Sequence, residues 1–169
     1  MSSRRATLAD ARIQTRSAPQ ASAAAAASLQ RSACTDTQAH QLARLVRQHY
    51  DAELSKVGLR ITQYRLLMEV VAHGPVRPCD LAEMMSLSPS TLTRTLKPLI
   101  LTGWVALGPG SDGRTRSVRI TAAGRGKCAE GVPHWSVAQA KVHHLIGSRN
   151  VSALHALIGE CLMRMSAVE

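Results

Sequence analysis

Apolar positions recur at helical spacing in the first half of the chain. One face of an amphipathic helix is marked by the spacing i, i+3, i+4, i+7, i+8. The residues at this spacing are Leu42, Leu45, Val46, His49 and Tyr50. This helix is predicted to end near Gly58. A second helix is predicted over 61–73, capped by Thr62 and closed by Gly74 and Pro75.

The middle of the chain has the pattern of a helix-turn-helix. A short helix is predicted from Pro78, with a break at Ser86 and Leu87, and Ser88 then caps a helix that begins at Pro89. Its apolar stripe, expected to face inward, is Leu92, Leu96, Leu99 and Ile100. Its outward face is polar and ends in cations, and it consists of Ser90, Thr91, Arg94 and Lys97. Such a face suits a helix that lies in a DNA major groove.

A β-hairpin is predicted directly after this helix. Strands are expected over 104–107 and 116–120, joined by a Gly- and Pro-rich turn over 108–113. The order of helix, turn, polar helix and basic hairpin is that of a winged helix-turn-helix. Arg114 is predicted near the hairpin tip, where a cation can reach a minor groove.

The last third returns to helical periodicity. Thr121 is predicted to cap a long helix with an apolar stripe, and a last helix carries Leu154, Leu157, Ile158, Cys161, Leu162 and Met165. These stripes exceed what a winged helix can cover, which favours an isologous two-fold dimer. The fold class is therefore mainly α, an α+β winged helix-turn-helix. We expect about six helices with a two- to three-stranded wing, dimerising through the N- and C-terminal helices.

Charge is unevenly distributed along the 169 residues. The formal net charge is +10, and residues 60–127 hold ten Lys or Arg against four acids, whereas 128–169 hold three of each. This asymmetry points to nucleic acid as the anionic partner of the middle segment. We expect a basic Ala/Ser-rich arm over 1–33, a first dimerisation helix over 34–58, a DNA-binding region over 59–121 and dimerisation helices over 122–169. No apolar run approaches the roughly 20 residues of a membrane span, so a cytoplasmic protein without a membrane partner is expected.

Three motifs resemble those of the MarR family of bacterial transcriptional regulators, over roughly 34–169. They are the stretch from Gly58 to Tyr64, the helix-turn-helix from Asp80 to Arg94, and Asp-Gly-Arg followed by Val-Arg-Ile-Thr over 112–121. The resemblance implies a homodimer whose recognition helices read adjacent major grooves and whose wings reach the flanking minor grooves. It also implies that the wing Arg114 touches DNA and that Asp112 helps to hold it. Release of DNA by a phenolic ligand, an oxidant or a metal is implied for the family without a choice among them.

Together these arguments predict a sequence-specific DNA-binding transcriptional regulator, a repressor released by a small ligand or an oxidant. The alternative is a nonspecific architectural DNA-binding or scaffold protein. The predicted DNA-contacting residues are Ser88, Ser90, Thr91, Arg94, Lys97, Asp112, Arg114, Arg116 and Arg119. An enzyme is not expected, because no nucleophile elbow, phosphate-binding glycine loop or paired-carboxylate motif is present.

Candidate sensing residues are Cys34, Tyr50, Tyr64 and Trp135. Cys34 precedes the first helix, where the helix dipole favours a thiolate. The alternative for Cys34 is a small packed residue, and the three aromatic residues are at helical spacing that also suits a core. Cys128 and Cys161 lie on apolar stripes and are interpreted as packing thiols. No cofactor and no metal site are predicted, since adjacent His143 and His144 point to different faces of a helix.

Overall fold

The computed structural model describes residues 33–110 and 115–167. Residues up to Ala43 belong to a separate unit from those beginning at Arg44, and each unit is described by itself. Within the described residues there are six α-helices and one antiparallel hairpin. The elements are α1 Thr35–Leu54, α2 Ile61–His73, α3 Pro78–Met84, α4 Pro89–Leu101, β1 Val105–Pro109, β2 Arg116–Ile120, α5 Ala122–Ile146 and α6 Ser148–Ser166. The predicted fold class, a mainly α winged helix-turn-helix, is confirmed.

A turn with a left-handed residue joins α1 to α2. A single 3-10 turn over Ser55–Val57 ends at Gly58, whose φ of 69° is a conformation that favours glycine. The predicted Thr62 cap is wrong, because Thr62 is the second residue inside α2. The free N–H of Ile61 donates instead to the Asp51 carboxylate at 2.7 Å, and the N–H of Arg60 donates to the Gln63 side chain.

An aliphatic core joins α2, α3, α4 and the hairpin. Its fully buried side chains include Leu66, Leu67, Leu81, Leu92, Leu99, Val105 and Val118. The predicted inward stripe of α4 is confirmed: Leu92, Leu96 and Leu99 are buried, and Ile100 is half-buried. α4 also continues across Pro98 to Leu101.

The wing consists of β1 and β2, in which Val105 pairs with Ile120 and Pro109 with Arg116. β1 begins one residue later and ends two residues later than predicted. A third strand is reduced to one bridge, in which the backbones of Val76 and Val118 exchange hydrogen bonds of 3.1 and 2.8 Å. The bridge ties the wing to the segment between α2 and α3.

The junction between the wing and α5 is tightly packed. As predicted, Thr121 caps α5, since its side chain accepts from the N–H of Gly124 at 3.0 Å. The same hydroxyl donates to the carbonyl of Gly103 at 2.7 Å. Gly124 lies so close to Trp104 that a Cβ would be 2.0 Å from its carbonyl oxygen. This position therefore accepts only glycine without a shift of the backbone.

α5 and α6 leave a broad apolar surface exposed within the single chain. On α5, Cys128, Ala138 and Val142 are buried, whereas Val132 and Leu145 are exposed. On α6 only Val151 is buried, and the exposed residues include Leu157, Ile158, Leu162, Met163 and Met165. The interpretation of Cys128 as a packing thiol is confirmed, but Cys161 is exposed in the single chain because its side of α6 has no partner there. None of the described helices is long and apolar enough to cross a membrane.

Candidate nucleic-acid interface

The second helix of the helix-turn-helix presents the polar face that its sequence predicts. Ser90, Thr91, Arg94 and Lys97 are all exposed, on the side of α4 opposite its buried leucines. A turn connects α3 to this helix, and within it Ser86 has a φ of 51°. The N–H of Leu87 then donates to the carbonyl of Ala82 at 2.8 Å. The turn thus fixes where α4 begins relative to α3.

Three hydroxyl groups meet at the first turn of α4. Ser88 Oγ accepts from the N–H of Thr91 at 3.3 Å, which confirms its predicted role as a cap. It also lies 3.1 Å from Ser90 Oγ and 2.9 Å from Thr91 Oγ1. All three residues are exposed, so the hydroxyls form a small polar surface at the positive end of the helix dipole.

The cations of this region differ in whether they already form hydrogen bonds within the protein. Within residues 33–110 and 115–167, Arg94, Lys97 and Arg116 make no hydrogen bond or ion pair, and all three are exposed. Arg119 is also exposed, but its guanidinium donates to the Pro109 carbonyl at 2.9 Å and to Ser117 Oγ at 3.2 Å. The first three are therefore available to a ligand, and Arg119 is engaged inside the hairpin.

Two predicted contacts, Asp112 and Arg114, lie outside the described residues. Another cation near the turn, Arg77, was not predicted; it pairs with Asp80 at 2.8 Å. Hydrogen bonding from Arg77, together with the Cys79 thiol, holds the pKa of Asp80 below its ordinary value. The spacing of three residues between Arg77 and Asp80 was the available signal for this pair.

The candidate sensing residues divide into two environments. Tyr50 and Trp135 are partly buried and pack with their ring centroids 6.5 Å apart. The Tyr50 hydroxyl donates to the side chain of Gln139, whose amide nitrogen lies 2.6 Å from His143 Nε2. Burial raises the pKa of the Tyr50 phenol. Gln139 was missed by sequence analysis, although its spacing of four residues from His143 is a signal for a shared helix face.

Tyr64 lies in the core. It is 5% exposed, and its ring packs against Gly131 of α5 so closely that a Cβ there would be 2.6 Å from Cε2. Burial raises the pKa of this phenol as well, with a further contribution from Cys128. Of the two predicted alternatives for Tyr64, the packed one describes its position in the structure.

Cys34 lies exposed immediately before α1. Hydrogen bonds from the Thr37 side chain and backbone hold the pKa of its thiol below the ordinary value, and the charge of Asp36 opposes them. These donors stabilise a thiolate, which is the reactive form of cysteine. The predicted sensing role is chemically feasible and stays a prediction.

Histidines are brought together at one place. The rings of His143 on α5 and His155 on α6 face each other edge to face, 6.4 Å apart. Among the described residues no group of three or more His, Cys, Asp or Glu is arranged to hold a metal ion. The expectation of no metal site stays a prediction for the whole chain.

Comparison with known proteins identifies the region that contains this interface. The sequence model of the MarR family matches residues 59–109. An uncharacterised helix-turn-helix-type transcriptional regulator of Bacillus subtilis, YwoH, is 31% identical over 84 residues, covering 50% of this chain and 61% of YwoH. The M. tuberculosis regulator MosR in complex with DNA is 28% identical, covers 76% of this chain and 98% of MosR, and superimposes with a TM-score of 0.62.

Residues 59–109 of this chain therefore resemble the MarR family. A mutant MarR from E. coli complexed with operator DNA shares the fold at a TM-score of 0.69 and 20% identity, covering 74% of this chain and 91% of that protein. The match to the MarR family ends at Pro109, so it includes the exposed face of α4 but not the cations of β2. The matched proteins are named as transcriptional regulators, in agreement with the prediction that the chain is not an enzyme.

Proposed function

We propose that this protein is a cytoplasmic, homodimeric transcriptional repressor that binds a pseudo-palindromic DNA operator. The observation that carries the proposal is the exposed face of α4, where Arg94 and Lys97 have no partner among the described residues. The chain spans 61% of the length of YwoH. Support comes from the neighbours MosR and MarR, whose structures contain DNA.

The two ends of α4 suit different parts of a DNA duplex. Hydroxyl groups of Ser90 and Thr91 can hydrogen-bond to base edges or phosphates, and Arg94 has the planar fork that reads guanine in a major groove. Lys97 and Arg116 can neutralise phosphates, which adds affinity without sequence information. In the proposed complex the wing, with Arg114 and Asp112, reaches the adjacent minor groove.

A second copy of the chain is the proposed partner of the terminal helices. The exposed leucines, isoleucine and methionines of α6 are an apolar surface of the kind that soluble chains cover. A two-fold dimer places two copies of α4 about one helical turn apart, roughly 10 bp, on a pseudo-palindrome. Both terminal helices take part in the proposed interface.

Release of DNA is proposed to follow binding of a small ligand or oxidation. The oxidant route uses Cys34, whose thiolate is stabilised by Thr37. The ligand route uses the partly buried group of Tyr50, Trp135 and the Gln139 amide that Tyr50 contacts. Peroxide sensitivity that Cys34→Ser abolishes supports the first route, and equal sensitivity of both proteins refutes it.

Selection of bound duplexes from a random DNA pool tests sequence-specific binding. The protein is expected to enrich a pseudo-palindromic sequence and to bind it more tightly than random DNA of equal length at the same salt concentration. Binding of both with equal affinity would instead support the alternative of a nonspecific architectural protein. DNA upstream of the protein's own gene is the first natural fragment to test.

Substitution of single cations tests the assigned surface. Arg94→Ala and Arg114→Ala are each expected to cost about 1–3 kcal/mol in binding the selected duplex. Arg149→Ala is the matched control, because it removes the same charge from an exposed position on α6. Equal losses in all three variants would show that net charge, rather than α4 and the wing, determines the affinity.

A further inference from the structure

Arg119 connects the two strands of the wing through its side chain. It lies on β2 opposite Ala106, and its guanidinium reaches the end of β1, where Nη2 donates to the Pro109 carbonyl at 2.9 Å. Its Nε donates to Ser117 Oγ at 3.2 Å. Ser117 is 3% exposed and itself donates to the Pro109 carbonyl at 3.0 Å. One carbonyl oxygen at the end of β1 thus accepts two hydrogen bonds from β2.

Two residues of β1, Gly108 and Pro109, lie next to this bridge. Gly108 leaves its side of the strand open, and a Cβ there would lie 3.6 Å from Arg119 Nε and 3.8 Å from Cζ. Val118 exchanges its backbone hydrogen bonds with Val76, so its pair with Leu107 and, by alternation, the pair of Pro109 with Arg116 are non-hydrogen-bonded pairs of the ladder. The carbonyl of Pro109 therefore points away from the backbone of β2, and the side chains of Arg119 and Ser117 bond to it instead.

The other exposed cation of β2 has no such role. Arg116 pairs in register with Pro109, yet within the described residues its side chain has no hydrogen bond or ion pair. Two arginines three residues apart on one strand therefore differ in whether any of their donors are already used. A phosphate bound in bidentate fashion through Nε and Nη2 would have to compete with Ser117 and Pro109 at Arg119 but would meet no such competition at Arg116.

We propose that Arg119 is a positioning residue of the wing, which fixes the end of β1 to β2 and acts on DNA recognition through the wing without contacting DNA itself. The proposal rests on the proposed function. It replaces, for Arg119 alone, the expectation of a direct DNA contact. By holding Pro109, Arg119 determines the direction in which β1 enters the loop that carries Asp112 and Arg114.

A charge-conserving substitution separates positioning from phosphate binding. Lysine keeps the positive charge of Arg119 but lacks the planar fork that spans two acceptors. Arg119→Lys is expected to weaken binding to the selected duplex by about tenfold, the order expected for loss of two hydrogen bonds. Binding to random DNA, and the slope of affinity against salt concentration, are expected to stay unchanged because the charge is conserved. Arg149→Lys makes the same change at an exposed position on α6, so it is the matched control and should retain affinity for both DNAs.

A double-mutant cycle tests whether Arg119 acts through the wing loop. If Arg119 positions Arg114, then Arg119→Lys should cause little further loss in a protein that already carries Arg114→Ala. Two independent DNA contacts would give losses that add in the double variant. Additive losses would therefore overturn the proposal.

A substitution on the opposite strand should disturb the hydrogen bonds of the Arg119 guanidinium without altering Arg119 itself. Gly108→Val places a branched side chain in the space that the guanidinium crosses, so it should reproduce the loss of Arg119→Lys on the selected duplex. Thermal unfolding of each variant shows whether it is folded. If Gly108→Val is destabilised, the result for Arg119→Lys alone decides the test. A wild-type protein that does not discriminate between DNAs overturns the proposed function together with this proposal. Discrimination by wild type and equally by Arg119→Lys overturns the positioning role alone.

Discussion

Replacing one of two glycines on α5 tests how tightly the wing is joined to this helix. A Cβ on Gly124 would lie 2.0 Å from the Trp104 carbonyl oxygen and 2.6 Å from Ile120 Cδ1. Gly126, two residues further along the same helix, is exposed and would place its Cβ in open space. Gly124→Ala and Gly126→Ala therefore make the same chemical change in contrasting surroundings.

The two substitutions are expected to change the free energy of unfolding in opposite directions. Alanine is favoured over glycine in a helix by about 1 kcal/mol, so Gly126→Ala should stabilise the protein by up to that amount. In Gly124→Ala the carbonyl must move by about 1 Å, and such overpacking costs about 1–3 kcal/mol. The shift also strains the hydrogen bond of 3.1 Å that the N–H of Thr121 donates to the Trp104 carbonyl, worth about 1 kcal/mol. After subtraction of the helix preference, Gly124→Ala should be destabilised by about 1–3 kcal/mol.

Urea unfolding of the two variants and wild type is the assay. For a chain of this length each kcal/mol changes the Tm by about 2–4 °C, so thermal unfolding gives an independent reading. Equal stabilisation by both substitutions would refute the close approach of Gly124 to Trp104. A loss of stability in Gly126→Ala would show that its surroundings are not open.

Two further predictions concern the ends of the protein. Because Thr37 stabilises the Cys34 thiolate, alkylation of Cys34 at a fixed pH below its ordinary pKa should be faster than that of a free thiol and should slow in Thr37→Val. Cys128, where burial raises the pKa of the thiol, should resist the reagent unless the protein unfolds, and a rate unaffected by Thr37→Val would contradict the assignment. Deletion of α6 should yield monomer or aggregate by light scattering and weaken operator binding more than Arg114→Ala does, whereas a tightly binding dimer without α6 would place the interface elsewhere.

Features that depend on neighbouring residues could be predicted from the sequence. Ser88 and Thr121 are caps because each directly precedes a helix whose first N–H groups lack partners. The stripe of α4 was predictable for the same reason, since a spacing of three and four residues places leucines on one face. Local periodicity thus fixed the orientation of α4 and its exposed face.

Features that join distant segments could not be predicted. The cap of α2 comes from Asp51, ten residues before Ile61, and the sequence alone gives no distance between them. As an exposed cation on the wing, Arg119 reads in the sequence as a DNA contact. Only the position of Pro109 on the facing strand shows that its guanidinium hydrogen-bonds to the Pro109 carbonyl. Gly124 likewise reads as an unfavourable helix residue until the approach of Trp104 explains it.

The hydrogen bonds around the wing restrict how DNA could be released. The N–H of Trp104 donates to the carbonyl of Leu99 at 2.9 Å, which joins the end of α4 to the start of the wing. Val118 is bonded to Val76 on the other side, and Thr121 and Gly124 join the wing to α5. A signal that tilted α4 against the wing would have to break the bond of Trp104 to Leu99 and disturb the core in which Leu99 and Val105 are fully buried, whereas the exposed apolar face of α6 presents no such barrier within the chain. We therefore expect that release from the proposed operator changes the spacing of the two winged domains in the proposed dimer and leaves the geometry of each one intact.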